Sequence, residues 1–194
     1  MNRERRSFKG LEVRQGPGTR PRLVGYAALW DSRSLDLGGF VEILRRGAFT
    51  RSLRENPDLR AFVDHDPAMI IGRVAADTLR VQEDSKGLRV EIFPPDTQVG
   101  RDVVENVRVG NLDGMSFAFG LYDPKEGQRW NWKETPPLRE ILEARIYETS
   151  VVAMPAYPDT TVAVRAMAEQ RGRSVTALRE RAEARAAGWL GIRH

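Results

Sequence analysis

The run Asp113-Gly114-Met115-Ser116-Phe117-Ala118-Phe119-Gly120-Leu121 alternates large apolar side chains with small ones. Successive side chains on a strand point to opposite faces. Met115, Phe117, Phe119 and Leu121 therefore form one apolar face, and Ser116, Ala118 and Gly120 form a small face with a single hydroxyl. A lone Ser on a small face leaves room for a peptide backbone, and it becomes a nucleophile if a base reaches it. The same pattern also fits a small residue packed inside a sheet. One internal histidine, His65, is present, and the other, His194, is the last residue. His65 is thus the only plausible imidazole for Ser116.

Working outward, Val99 to Val109 carries apolar residues at 99, 103, 104 and 107, the spacing of a helix, and Gly110 caps it just before the Ser116 strand. Asp77 to Gln82 and Gly87 to Phe93 alternate on either side of Glu83-Asp84-Ser85-Lys86, which predicts a hairpin. Leu59 to Val63 reads as a strand that delivers His65. Gly47 to Glu55 reads as a short helix stopped by Asn56-Pro57. Leu23 to Trp30 and Phe40 to Leu44 read as strands, and Phe8, Leu11 and Val13 as a first edge strand. Residues 123–137 read as a polar loop, and Leu138 to Met154 as one long last strand. The expected fold class is mostly β (α+β). Residues 1–160 form the expected domain, and 161–194, rich in Ala, Arg and Glu, a charged helical tail with a thin apolar stripe. That tail suits self-association or removal.

Composition narrows the chemistry. A chain of 194 residues supports one sizeable core plus a tail. With no Cys and one internal His, neither a disulfide framework nor a zinc site is expected, and no cofactor is implied. No apolar run approaches the ~20 residues that span a bilayer, and no apolar stretch follows the basic N-terminus. The net charge of +4 comes from 31 basic and 27 acidic residues mixed along the chain. A nucleic-acid binder would gather its cations into a stripe, so specific nucleic-acid binding is not expected and rests on charge alone.

His65 lies in Val63-Asp64-His65-Asp66-Pro67. It reads as a loop histidine between two acids, or as part of a carboxylate metal site for which no second ligand cluster stands out. In the last strand, simple alternation puts Leu142, Ala144, Ile146, Glu148, Ser150 and Val152 on one face, and Glu143, Arg145 and Tyr147 on the other. Glu148 then sits among apolar neighbours, where an unpaired carboxylate is expensive. Its partner is either a histidine, as in the third member of a triad, or an arginine such as Arg73 or Arg60. Glu143 reads as solvated.

The order of short motifs resembles the prohead proteases of tailed phages, the serine proteases of capsid maturation. The matching pieces are Gly25-Tyr26-Ala27-Ala28-Leu29-Trp30, Glu42 with Arg46-Gly47-Ala48-Phe49, His65-Asp66-Pro67 with Ile71-Gly72-Arg73, and Asp84 with Gly87-Leu88. Gly110 to Phe117 and Tyr147 to Ala156 complete the series, which covers about residues 5–165. The resemblance implies a fold similar to the herpesvirus assemblins, a β-barrel-like core flanked by helices. It also implies a Ser nucleophile at Ser116, a His base at His65, and Glu148 where the herpesvirus proteins use a second His. Arg73 and the amides near Gly114 are its candidate oxyanion donors. The implied work is cleavage of scaffold, or of a scaffold-like segment of the major capsid protein, and of the protease itself. It would take place inside the immature capsid in the host bacterial cytoplasm. The competing reading is a non-catalytic assembly or scaffold protein, against which the presence of both Ser116 and His65 argues.

Overall fold

The computed structural model describes residues 3–16, 20–56 and 58–153. The tail expected over 161–194 lies outside the described residues. The first expected strand is two: β1 (Glu4–Lys9) and β2 (Glu12–Gln15). Gly10, at φ 107°, turns the chain between them so that each joins a different sheet. Next come β3 (Pro21–Leu29), β4 (Val41–Leu44), the short helix α1 (Thr50–Glu55), β5 (Arg60–Val63) and β6 (Asp66–Arg73). The expected hairpin is β7 (Leu79–Glu83) and β8 (Gly87–Ile92), and the expected helix is α2 (Gln98–Arg108). Thr97 Oγ1 accepts from the Gly100 N–H at 3.1 Å and so caps α2, while Val103, Val104 and Val107 form its buried face. The Ser116 run is β9 (Gly114–Leu121), followed by β10 (Gln128–Asn131), β11 (Leu138–Ile141) and β12 (Ala144–Val152).

Three further departures from the sequence reading concern β6, β10 and the last strand. β6 was not expected, because its first five residues are exposed and show no alternation. β10 lies inside the stretch read as a polar loop; Trp130 stacks on Trp132 there, ring centroids 4.6 Å apart. The long last strand is broken into β11 and β12, which belong to different sheets. At the break, the Leu142 and Glu143 N–H groups both donate to the Gly127 carbonyl, so these two residues leave the ladder.

A five-stranded sheet in the order β1-β9-β12-β5-β6 packs against a four-stranded sheet, β2-β3-β8-β7, and a three-stranded sheet, β10-β11-β4, joins them. The described strands form open sheets rather than the closed barrel that the resemblance implies. The core lies between the two larger sheets. Met115, Phe117, Phe119, Ala61 and Val151 from one meet Leu23, Leu79, Leu88, Val90 and Ile92 from the other. Phe117 is wedged between Phe49, edge-on at 5.3 Å, and Phe119, stacked at 5.3 Å. Packing this face fixes which way β9 points its alternate side chains.

A buried ionic quartet ties β1 to the three-stranded sheet. Arg6 donates from Nε and Nη2 to Glu42 at 2.7 and 2.9 Å, and from Nη2 to Glu4 at 2.8 Å. Arg139, 1% exposed, donates to Glu4 and Glu42. Burial pushes the Glu4 carboxyl up, but the Arg139 and Arg6 guanidinium groups more than offset this and hold it below its ordinary value.

Candidate active site

β9 is paired on both sides, with β1 and with β12. Directly paired residues put their side chains on the same face. Met115, Phe117 and Phe119 face the core, so Ser116 and Ala118 point the other way, as their alternation predicts. Ser116 pairs with Ser7 on one side and with Ser150 on the other, and Ser150 in turn pairs with Phe62 of β5. One row of cross-strand neighbours thus runs Ser7, Ser116, Ser150, Phe62.

Glu148 reaches this face by a route that simple alternation missed. Ile146 pairs with Phe119, but Glu148 pairs with Ala118, so Tyr147 is an extra residue in β12, a β-bulge. Without the bulge Glu148 would pair with Phe117 and point into the core. Ala144 and Ile146 therefore face the core, while Glu148, Ser150 and Val152 share the Ser116 face. Glu148 is buried at 8% exposure, and Glu143 is outside, paired with Arg51 at 3.2 Å. Glu148 is thus buried, as alternation predicts, but on the face opposite Ala144 and Ile146 rather than among them.

His65 comes from a two-residue turn between β5 and β6, in which Val63 pairs with Asp66. Both turn residues have positive φ, 47° at Asp64 and 63° at His65. Tight hairpins need this, and Asp and His tolerate it better than most residues. The turn is tied to the end of β12: Asp64 N–H donates to the Val151 carbonyl at 2.9 Å, and Asp64 Oδ1 accepts from Ala153 N–H at 3.3 Å. The imidazole is held in turn, with Nδ1 2.6 Å from Glu148 Oε1. The second carboxylate oxygen, Oε2, accepts from Ser150 Oγ at 2.7 Å.

Beside an ionised carboxylate, which only accepts, a neutral imidazole carries its proton on Nδ1 and presents a lone pair at Nε2. Nε2 is buried and has no hydrogen-bond partner among the described residues. Ser116, fully buried, donates its hydroxyl to the Arg6 carbonyl at 2.9 Å. The hydroxyl and the orphan imidazole nitrogen are not bonded to each other: Arg6 holds Ser116, and His65 is held by Glu148, which shares the Ser116 face. Such contacts are often open in unliganded sites and close on substrate binding.

The other sequence candidates fall elsewhere. Arg73 forms a two-pronged contact with Asp58, and Arg60 also pairs with Asp58, so neither partners Glu148. Arg73 is not brought to Ser116 as an oxyanion donor. No cluster of metal-ligating side chains exists among the described residues, the acids flanking His65 included. A cleft of about 510 Å³ between α2 and Pro94-Pro95 contains none of the three site residues. No helix among the described residues is long and apolar enough to cross a membrane.

A serine on the small face of a sheet, with an imidazole braced by a buried carboxylate, is the set of groups a serine-type hydrolase employs. The chain belongs to the caudovirus prohead serine protease family, whose pattern matches residues 9–173. It is accordingly a protease of capsid maturation. Among solved structures, the bacteriophage T4 capsid assembly protease, gp21, is similar at 10% identity and a TM-score of 0.47, over 78% of this chain and 99% of that one. No curated protein matches.

Proposed function

We propose that the chain is a serine endopeptidase in which Ser116 is the nucleophile, His65 the general base and Glu148 the orienting acid. The observation that carries this reading is the buried, unpartnered Nε2 of His65, on an imidazole whose other nitrogen is held by Glu148. In the reaction the Ser116 hydroxyl leaves the Arg6 carbonyl and donates to Nε2. Its oxygen attacks the peptide carbonyl while Nε2 takes the proton. Glu148 stabilises the resulting imidazolium, which then protonates the leaving amine. Water, deprotonated by the same nitrogen, releases the acyl group from Ser116.

The substrates we assign are scaffold or a scaffold-like segment of the major capsid protein, together with the chain itself. The setting is the immature capsid in the host cytoplasm, and self-association there would raise the local concentration of protease. The family supports capsid proteins as the substrate class. Co-expression with the capsid protein tests the mechanism. Mass spectrometry should find processed products with the unaltered chain and intact protein with either Ser116→Ala or His65→Ala. Normal processing by either variant would exclude the assigned pair. A non-catalytic assembly role predicts the same unprocessed mass in all three cases.

A further inference from the structure

We infer that Ser150 is a positioning residue for the reaction, acting through Glu148. This rests on the assignment of Ser116, His65 and Glu148 made above. Three observations carry it. Ser150 is fully buried, and its hydroxyl donates to Glu148 Oε2 at 2.7 Å. The other oxygen of the same carboxylate holds His65 Nδ1. Ser150 also sits directly across the ladder from Ser116, on the same face and past the bulge.

A carboxylate on a flexible side chain has two equivalent oxygens and several ways to present them. Burial removes the water that would otherwise satisfy the oxygen not facing the histidine, so that oxygen needs a protein donor. Among the described residues Ser150 is the donor that fills this need. Its hydroxyl fixes the carboxylate plane, so that Oε1 meets Nδ1 and the imidazole is held in one orientation. The position is set by the backbone of β12 rather than by a loop, and that backbone is paired on both sides, with β9 and with β5. The line of control runs Ser150, Glu148, His65, Ser116.

The test uses the full chain and a fluorescent fluorophosphonate, which reports on the serine without knowledge of the natural substrate. Ser116 Oγ forms a bond to phosphorus, the P–F bond breaks, fluoride leaves, and the hydroxyl proton passes to His65 Nε2. Labelling over a range of probe concentrations separates the maximal rate from the probe's apparent affinity. Hydrogen bonds to charged groups are strong, so Ser150→Ala should lower the maximal rate about ten- to a hundredfold with little change in apparent affinity. Ser150→Thr, which keeps the hydroxyl on a side chain suited to strands, should recover most of the loss. The downfield proton signal of His65 Nδ1–H should shift or broaden in Ser150→Ala and return in Ser150→Thr, which a purely structural role would not produce. Wild-type labelling by Ser150→Ala, or an equal loss in both variants, would overturn the inference. Labelling that persists in Ser116→Ala would instead overturn the nucleophile, and this inference with it.

Discussion

Two glutamates at the residue scale differ in where their carboxylates lie, and the role proposed for Glu148 rests on that difference. Glu148 is buried, bonded to His65 and to Ser150. Glu143 is half-buried and pairs with Arg51. An amide in place of the Glu148 carboxylate keeps the size but can donate to Nδ1, which favours the wrong imidazole tautomer. A comparable change in a serine-protease triad costs about 10⁴ in rate. Glu148→Gln should therefore lose cleavage by several orders of magnitude while Glu143→Gln cleaves normally. Rates on co-expressed capsid protein check this, and equal rates would remove Glu148 from the site. The residue types were legible in the sequence: a single internal His, a Ser on a small strand face, an acid in the last strand. The contact between His65 and Glu148 was not, because it depends on the turn after β5 and the bulge in β12.

At the scale of elements, alternation reads β9 correctly because β9 itself carries no extra residue: its pairing with both neighbours advances one residue at a time along it. It failed on β12, where one extra residue at Tyr147 reverses every side chain beyond it. A bulge leaves no mark in the hydrophobic pattern when, as here, residues on both sides of the strand are buried. β6 and β10 were missed for a related reason: exposed or half-buried edge strands carry little periodic signal. The ionic quartet was equally hidden, since Glu4, Arg6, Glu42 and Arg139 read as surface residues one at a time. It anchors β1, whose Arg6 carbonyl holds the Ser116 hydroxyl. Glu42→Gln leaves Arg6 and Arg139 buried with less than their compensating charge. Breaking one member of such a group costs about 3–5 kcal/mol. Urea unfolding should show that loss, and a change below about 1 kcal/mol would mean that water or rearrangement compensates the charges.

For the molecule as a whole, carboxylates held by arginines set how stability depends on pH. The hydrogen bond from Arg129 holds Glu140 down, burial pushes it up and Arg45 holds it down further; its carboxyl lies at about 2 against an ordinary 4.5. Glu4 is shifted in the same direction. Groups with lowered values contribute their full stability above the unfolded value and lose it as pH falls towards the folded one. Thermal midpoints should be flat above pH 4.5 and fall between 4.5 and about 2, and Glu140→Gln should flatten part of that fall while lowering the midpoint at neutral pH. A variant with an unchanged acid slope would contradict the role given to Glu140. In the proposed mechanism one serine of this molecule is made nucleophilic by one histidine. The most direct measurement is to react the full chain with a fluorophosphonate, digest it and locate the adduct by tandem mass spectrometry. An adduct on Ser116 alone is expected, and none in His65→Ala; an adduct on any other residue, or undiminished labelling without His65, would contradict the proposed mechanism.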